Sequence, residues 1–490
     1  MKKLSYEKET NYLAKVVKTE NLRQHSNADR LLCMGVDGNN VITSNQTPEG
    51  QISIYFPLEC SINEDFLSFT NSFRDKEKNR DKEKVGFFDN TRVRAIKLRG
   101  ERSEGYLIPA SQVEQWFMDK GQSLIIGESD VGEYFDKVLD VEICKKYVNP
   151  KSLRGASSGK NVDKKTKKKN EIVDGQFRLS EDTPHLGKFI HELDHDDIIS
   201  ITKKLHGSNF CVGKVMCNRE LKWYEKILTK IGAKIDTKYY DIVYASRRVV
   251  KGSLTKEIDG KAHYYKSDVW KIVAERLKDI VHDNMTVYGE IVGYTPEGSW
   301  VQKGYDYGND VGELDFYVYR ITLTTNDGRP YDFSWGQVRD FCKKMGIKHV
   351  PELYYGRFID LFPELDAEDA EMKDRRTFNE YALEQLRNRY LEKKCSICKN
   401  DVWDEGIVLG KDDLFFSKFK FKSFRFLEAE SVAIDKGDEN LEEQEEAWRR
   451  RSPRSRRSPT PPPRSSTCER SSSRSCSTSS TSSRKNSRRT

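Results

Sequence analysis

Apolar and polar residues alternate in short runs over residues 11–145. Examples are YLAKVVKTE, RLLCMGVDG, NVITS and QISIYFPLE, which are separated by turns rich in Asp, Gly and Asn. Alternation with a period of two indicates half-buried strands, and turns at this spacing favour a small barrel or sandwich. We therefore predict a β domain over residues 1–148.

Residues 172–447 mix two hydrophobic periods. Strand-like runs such as DIISITKKL, YDIVYASRRVV, MTVYGEIVGY and DFYVYRITLT occur together with runs of helical spacing, such as KWYEKILTKIG, DVWKIVAERLKDIVHD and TFNEYALEQLRNRYLEKK. The strands and helices do not follow a regular βα repeat. This pattern predicts an α+β domain of antiparallel sheets with flanking helices.

Two segments lose hydrophobic periodicity altogether. Residues 149–171 are rich in Gly, Ser and Lys, which predicts a basic flexible linker. Residues 448–490 are rich in Arg, Ser and Pro and cannot bury a core, so we predict a disordered tail that binds RNA or proteins.

The formal net charge of +7 is unevenly distributed over the 490 residues. Residues 448–490 contain 13 Lys and Arg against one acidic residue, a net charge of +12, which leaves −5 for residues 1–447. The folded region must therefore concentrate positive charge locally if it binds a polyanion.

One such concentration is the run TRVRAIKLRGERSEGYLIP at residues 91–109. Basic and apolar residues interleave there, so one face of a strand pair could follow a nucleic acid backbone. The alternative is an exposed basic strand without a partner. The candidate nucleic-acid contacts are Arg92, Arg94, Lys97, Arg99 and Arg102.

Targeting signals and cysteine spacing bear on the compartment. No apolar run approaches the roughly 20 residues of a membrane span, and the N-terminal run MKKLSYEKETNYL lacks the apolar stretch of a secretory signal. The ten cysteines follow no disulfide framework. We expect an intracellular, cytoplasmic monomer without a membrane partner, or a nuclear protein if the tail acts as a localisation signal.

Cys395 and Cys398 form a lone CxxC, which favours simple thiols over a four-ligand zinc site.

A lysine nucleophile needs a nearby electrophile and a lowered pKa. The pattern Lys-x-x-Gly is weak by itself, since it occurs at Lys97, Lys204 and Lys343. Only Lys204, in TKKLHGSNF, is followed by an ordered series of further motifs. These are SRR with Arg247 and Arg248, VYGEIVG with Glu290, DFYVYRI with Phe316, DEGIVLG with Glu405, and KFKFKSF with Lys420 and Lys422.

This ordered series resembles the covalent nucleotidyltransferase superfamily of ATP-dependent ligases and capping enzymes. The forms KLHGSN, FYVYRI and KFKFKSFRF are most similar to RNA ligases, over about residues 172–440. The segment DGQFRLSEDTPHL at residues 174–186 and the run VRAIKLRG fit a subgroup with an N-terminal OB module. The resemblance therefore implies an ATP-grasp-like nucleotidyltransferase domain over residues 172–447 after an OB-like barrel domain, with ATP and Mg²⁺ (or Mn²⁺) as cofactors.

The resemblance also implies roles for individual residues. Lys204 would attack the α-phosphate of ATP and form lysyl-AMP, with Lys203 as a neighbouring cation. Lys420 and Lys422 would clamp the phosphates and Glu405 would bind Mg²⁺. The remaining predicted ATP contacts are His206, Gly207, Asn209, Arg247 or its neighbour Arg248, Glu290 at the ribose and Phe316 against adenine. Lys303, in the run GSWVQKGYDYGND, is either a substrate-phosphate contact or a solvated loop residue.

Three functions remain open at this point. The first is an ATP-dependent RNA ligase that joins 5′-phosphate and 3′-hydroxyl ends of RNA or RNA/DNA at nicks or breaks in duplexes, as in RNA repair. The second is a capping guanylyltransferase or an ATP-dependent DNA ligase. These enzymes carry a further OB domain after the last lysine motif, and only 67 residues follow Ser423. The third is an RNA-processing scaffold that acts through its Arg/Ser tail.

Overall fold

The structure is a computed structural model that describes residues 3–149, 172–255, 267–365 and 374–436. These described residues belong to one compact unit. The predicted tail and almost all of the predicted linker lie outside the described residues. Their character, and the domain boundaries drawn from them, stay predictions.

The N-terminal region, residues 3–149, consists of short strands and two helices. The helices are α1 (Glu64–Phe69) and α2 (Ala110–Asp119). The strands are β1 (Leu4–Ser5), β2 (Ala14–Lys18), β3 (Arg23–Gln24), β4 (Leu31–Val36), β5 (Asn39–Ser44), β6 (Ile52–Pro57), β7 (Cys60–Ile62), β8 (Ile96–Leu98), β9 (Glu101–Ser103), β10 (Gly105–Pro109), β11 (Tyr134–Phe135), β12 (Lys137–Val138), β13 (Val141–Glu142) and β14 (Cys144–Lys146).

The predicted barrel is not confirmed, because the described N-terminal strands do not close into one ladder. They form separate sheets in the orders β1-β12-β13, β10-β6-β2-β11, β14-β7, β3-β4-β5 and β8-β9. Many of these strands have only two or three residues, which is too short to carry one continuous set of hydrogen bonds around a barrel. Alternation nevertheless predicted the β character correctly, and a single core that includes Phe56, Phe66, Trp116 and Phe135 holds most of these sheets together.

The described part of the C-terminal region has ten further strands in two antiparallel sheets, as predicted. The strands are β15 (Ile198–Lys204), β16 (Ser208–Asn218), β17 (Lys238–Ser246), β18 (Val250–Ser253), β19 (Met285–Gly293), β20 (Leu314–Thr324), β21 (Pro330–Asp332), β22 (Glu352–Arg357), β23 (Gly406–Lys411) and β24 (Lys418–Lys422). The first sheet has the order β22-β15-β23-β24 and the second has the order β18-β17-β16-β19-β20-β21.

Six helices lie in the described part of this region. They are α3 (Leu186–Phe189), α4 (Trp223–Lys230), α5 (Val269–Leu277), α6 (Trp335–Met345), α7 (Arg375–Tyr390) and α8 (Phe424–Asp435). The apolar face of α5, with Trp270 and Val273, shares a core with Phe210 of β16. The apolar face of α7, with Leu386, shares another core with Leu409 of β23. Among the described residues, no helix combines the length and apolar character needed to span a bilayer.

The two sheets meet where β15 ends and β16 begins. Lys204 is the last residue of β15, and Ser208 is the first residue of β16 in the other sheet. The chain crosses between the sheets within three residues. This crossing places the Lys-x-x-Gly run in a cleft between two rigid walls.

Candidate active site

The crossing from β15 to β16 requires a glycine at position 207. A Cβ atom there would lie 2.8 Å from Cγ of Glu290 and closer still to the backbone carbonyl oxygen of Ile291. The backbone N–H of Gly207 also donates to Oε1 of Glu290 at 3.2 Å. Close approach of backbone to a neighbouring strand therefore explains the glycine three residues after Lys204.

Glu405 lies at the centre of the site. Its side chain is 4% exposed, and its carboxylate is 2.7 Å from Nζ of Lys204 and 2.9 Å from Nζ of Lys422. The ring Nδ1 of His206 is 3.7 Å away. Burial by itself would raise the pKa of Glu405, but the charges of Lys204 and Lys422 outweigh it and hold that pKa well below its ordinary value.

Lys420 and Lys422 lie two residues apart on β24 and share a face of the strand, while the intervening Phe421 is in the core. Burial, and then the charge of Lys422, lower the pKa of Lys420 to about 7. Burial also disfavours the charged form of Lys422, but Glu405 and Glu430 outweigh it and raise the pKa of Lys422. β24 therefore carries Lys422, whose raised pKa keeps it protonated, beside Lys420, whose pKa is near neutral pH.

Lys203 and Lys204 have separate partners. Nζ of Lys203 is 2.6 Å from the carboxylate of Asp404 and 3.1 Å from Oγ of Ser396, whereas Lys204 contacts Glu405. Successive residues of a strand point to opposite faces, which accounts for this separation. Of these two neighbouring lysines, Lys204 is the one paired with the central carboxylate of Glu405.

Arg247 and Arg248 follow β17 and share one carboxylate. Nη2 of Arg247 donates to Oδ1 of Asp182 at 2.7 Å, and Nη2 of Arg248 donates to Oδ2. Burial opposes ionisation of Asp182, but the two guanidinium groups outweigh it and hold the pKa of Asp182 well below its ordinary value. Arg247 also contributes to the lowered pKa of Lys420, so the arginines and the lysine strand lie near each other.

The wall opposite the lysine strand belongs to the six-stranded sheet. Asn209 and Glu290 are paired across β16 and β19, and Phe316 on β20 faces Ile291 on β19. Phe316 is half-buried and meets the ring of Phe210 edge-on at 5.3 Å between centroids. A planar base could therefore meet one remaining face of an aromatic ring that packing already holds in place.

Three residues at the site were not predicted from the sequence. Nδ2 of Asn209 donates to the hydroxyl of Tyr319 at 2.7 Å, and the hydroxyl of Ser180 donates to Oδ1 of Asn209 at 2.6 Å. Asp182 is the third. Tyr319 lies within the FYVYRI run, so its position in the motif was a usable signal, whereas Ser180 and Asp182 have no local chemical signature.

The predicted nucleic-acid contacts in the N-terminal region do not form one exposed face. Arg92 has no exposed side-chain surface and binds both carboxylate oxygens of Glu59, at 2.8 and 2.9 Å. The prediction that Arg92 lies at a nucleic-acid-binding surface is therefore wrong, because the ion pair with Glu59 holds this side chain in the interior.

The other four residues of that run are at least partly exposed, and three of them have acidic partners. Arg94 binds Asp89 and Asp435. Lys97 is 3.9 Å from Glu428, and Arg102 is 3.0 Å from the buried Glu104. Arg99 is exposed. Lys303 is exposed on the loop between β19 and β20. The contacts to Asp435 and Glu428 tie the run to α8, so part of its charge is used within the protein.

In the described ranges no group of three or more His, Cys, Asp or Glu side chains could hold a metal ion, so Glu405 as a Mg²⁺ ligand stays a prediction. One buried carboxylate suits Mg²⁺, which commonly takes one or two protein carboxylates and completes its shell with water and substrate phosphates.

The absence of a group of three or more ligands among the described residues gives a zinc site at Cys395 and Cys398 no support. A hydrogen bond between these thiols lowers the pKa of Cys395.

Comparisons with known proteins concern the family and the fold. Residues 197–426 match the family model for RNA ligase, and this range contains Lys204, Glu405, Lys420 and Lys422. Among curated proteins, no sequence matches the chain.

Solved structures of an RNA ligase share the fold. A mutant of the Naegleria gruberi RNA ligase with AMP and Mn is 18% identical, with a TM-score of 0.51 over 85% of this chain and 98% of that chain. Another mutant with ATP and Mn has the same identity and TM-score over 85% of this chain and 99% of that chain. A third, also with ATP and Mn, has a TM-score of 0.50 at 18% identity, over 85% and 98% of the two chains. The chain therefore has the fold of the Naegleria gruberi RNA ligase, and its residues 197–426 match the RNA ligase family.

Proposed function

We propose that the protein is an ATP-dependent RNA ligase that works through a covalent lysyl-AMP intermediate on Lys204. The observation that carries this proposal is the central cluster, in which one buried carboxylate, Glu405, holds Lys204 and Lys422 within 3 Å. The family match over residues 197–426 and the fold shared with an RNA ligase support it.

In the first step Nζ of Lys204 attacks the α-phosphorus of ATP and loses a proton, the bond to the β-phosphate oxygen breaks, and pyrophosphate leaves. Lys204 must give up its ion pair with Glu405 before its nitrogen lone pair can attack. Lys420 and Lys422 stabilise the charge that shifts onto the phosphates. Phe316 stacks on the base, and Glu290 binds the ribose.

Glu405 is the residue that would hold a divalent cation. Mg²⁺ or Mn²⁺ at this carboxylate would supply positive charge to the phosphates and compete with Lys204 for the carboxylate oxygens. The buried position of Glu405 and its two cationic neighbours suit a metal that arrives together with phosphate ligands.

In the later steps AMP moves from Lys204 to a 5′-phosphate, and a 3′-hydroxyl attacks that activated phosphate and expels AMP. We propose RNA ends, at nicks or breaks in duplexes, as the substrate, and a monomer as the active form. This substrate choice rests on the resemblance to RNA ligases and on the family match. Sealing a panel of nicks with ribo- or deoxyribonucleotide ends tests it, since efficient sealing of all-DNA nicks alone would favour a DNA ligase.

Covalent labelling tests the first step. The full chain is incubated with ATP labelled at the α-phosphate and Mg²⁺, then denatured and separated. We expect label on the wild type and none on Lys204→Met. The matched controls are Lys203→Ala, one residue away with other partners, and Lys343→Ala, in the exposed Lys-x-x-Gly run at the end of α6.

Each alternative predicts a different labelling pattern. Label from GTP but not ATP would favour a capping guanylyltransferase. Label that persists in Lys204→Met would place the nucleophile elsewhere. A correctly folded wild type that takes label from neither nucleotide would refute the proposal.

A further inference from the structure

Residues 180–185, Ser-Glu-Asp-Thr-Pro-His, run along the candidate active site and form a strap between its parts. At one end Oγ of Ser180 donates to Asn209. At the other end the carbonyl oxygen of Pro184 accepts from the backbone N–H of Lys420 at 2.8 Å. The strap therefore touches both walls of the cleft. It is part of the run DGQFRLSEDTPHL, to which the sequence assigned no chemistry.

Asp182 is the charged centre of the strap that faces the arginines. Each of its carboxylate oxygens accepts from one guanidinium group, Oδ1 from Arg247 and Oδ2 from Arg248. Its side chain is 42% exposed, compared with 25% and 19% for the two arginines. The carboxylate is therefore ionised and open to competition from a dissolved anion.

We propose that Asp182 is a positioning residue that stands in for a nucleotide phosphate, holding Arg247 and Arg248 until the phosphates of the incoming nucleotide displace it from at least one of them. The inference rests on the proposed function for the identity of the nucleotide. It identifies polyphosphate as the competing ligand from the chemistry of the two arginines alone.

The electrostatics of the pair favour this exchange. Arginine forks bind phosphate as readily as carboxylate, and a polyphosphate carries more negative charge than one aspartate. Lys420 and Lys422 beside the arginines add to the attraction for a polyphosphate but are not contacted by Asp182. A carboxylate that occupies both arginines reduces the fraction of the protein that is competent to bind, and apparent affinity falls by that fraction.

The decisive variant is Asp182→Asn, which keeps the shape of the side chain and removes its charge. We expect inorganic pyrophosphate, measured by calorimetric titration of the full chain, to bind the variant about three- to ten-fold more tightly than the wild type, the range typical for releasing partly exposed ion pairs. The KM for ATP in self-adenylation should fall by a similar factor while the rate at saturating ATP does not rise. Asp182→Glu, which keeps the charge, should behave like the wild type.

The matched control is Asp196→Asn, which also breaks an exposed aspartate–arginine pair, with Arg357 at 2.8 Å. Because Asp196 precedes β15 at the end opposite Lys204, we expect unchanged pyrophosphate affinity. An equal increase in pyrophosphate affinity in both variants would show that the effect comes from net charge alone, and it would overturn the inference.

Weaker or unchanged pyrophosphate binding in a folded Asp182→Asn protein would also overturn it, because Asp182 would then orient the arginines for phosphate or hold them for structure alone. Thermal melting confirms that each variant is folded. Pyrophosphate binding does not depend on lysine adenylation. If no nucleotide labels the wild type but Asp182→Asn still binds pyrophosphate more tightly, the proposed function fails and this inference stands.

Discussion

Replacement of Lys420 by methionine should make the protein more stable while abolishing lysine adenylation. The ammonium group of Lys420 is held in a desolvated position beside a second lysine, and burial and the charge of Lys422 lower its pKa from 10.5 to about 7. A site that binds phosphate must keep positive charges together before the phosphate is there. The cost of doing so should appear as lost stability.

The lowered pKa sets the size of this effect. A pKa lowered from 10.5 to about 7 corresponds to a destabilisation of the folded protein by at most about 5 kcal/mol, at 1.36 kcal/mol per pKa unit. Because the Lys420 side chain is only partly buried and its neighbours can rearrange, we expect about 1–3 kcal/mol. For a protein of this size that is a rise of about 1–3 °C in Tm.

The pH dependence distinguishes this origin from better packing of methionine. Below about pH 7 Lys420 is protonated in both the folded and the unfolded chain, so the full penalty applies. Between about pH 7 and pH 10.5 the folded protein has released the proton that the unfolded chain still binds. The wild type then gains stability relative to the variant as the pH rises. The difference in Tm should therefore be largest near pH 6 and clearly smaller near pH 9.

Thermal melts of the wild type, Lys420→Met and the control Lys343→Met measure this difference. Lys343 is an exposed lysine of α6, so its replacement should change Tm little at any pH. A Lys420→Met protein that melts below the wild type, or a difference that stays constant from about pH 6 to about pH 9, would show that the lysine cluster is not strained.

Three further variants probe the supports of the site. Glu405→Gln should lose covalent labelling. Its unfolding free energy in urea titrations should fall by about 3 kcal/mol, because Lys204 and Lys422 lose their carboxylate partner. A fall of less than about 1 kcal/mol would contradict the ion-pair geometry. Gly207→Ala should lower Tm and labelling, whereas Gly127→Ala, where a Cβ meets no atom within 4 Å, should change neither. Glu104→Gln should cost about 2 kcal/mol, because the guanidinium of Arg387, which is 4% exposed, loses its carboxylate partner at 3.1 Å and keeps Glu392 at 3.6 Å. Wild-type stability would show that this contact between the N-terminal region and α7 is not needed.

Local patterns predicted the secondary structure and part of the site. The alternation in DIISITKKL and KFKFKSF predicted β15 and β24, and it placed Lys420 and Lys422 on one face because a strand has a period of two. The glycine after Lys204 is visible in the sequence, but its physical reason is the close approach of Ile291 on a neighbouring strand, which is a tertiary contact. The barrel was not confirmed, because alternation identifies strands but does not determine which strand ends join into a closed ladder.

Pairings between distant residues were decided by tertiary structure. Glu405 is 201 positions from Lys204, and its ion pair exists because β15 and β23 are neighbours in one sheet. The basic run at residues 91–109 looked like a nucleic acid surface, yet burial against Glu59 put Arg92 in the interior.

The sequence by itself determined which residues alternate, where strands and helices form, and the order of the motifs that begins at Lys204. Alternation and helical spacing depend on neighbours a few positions apart, and the order of the motifs is written directly in the chain. Tertiary structure decided which charges meet, that Lys203 and Lys204 have different partners, and that Asp182 holds two arginines. Coulomb energy depends on distance in space and on burial, and neither quantity can be read from spacing along the chain.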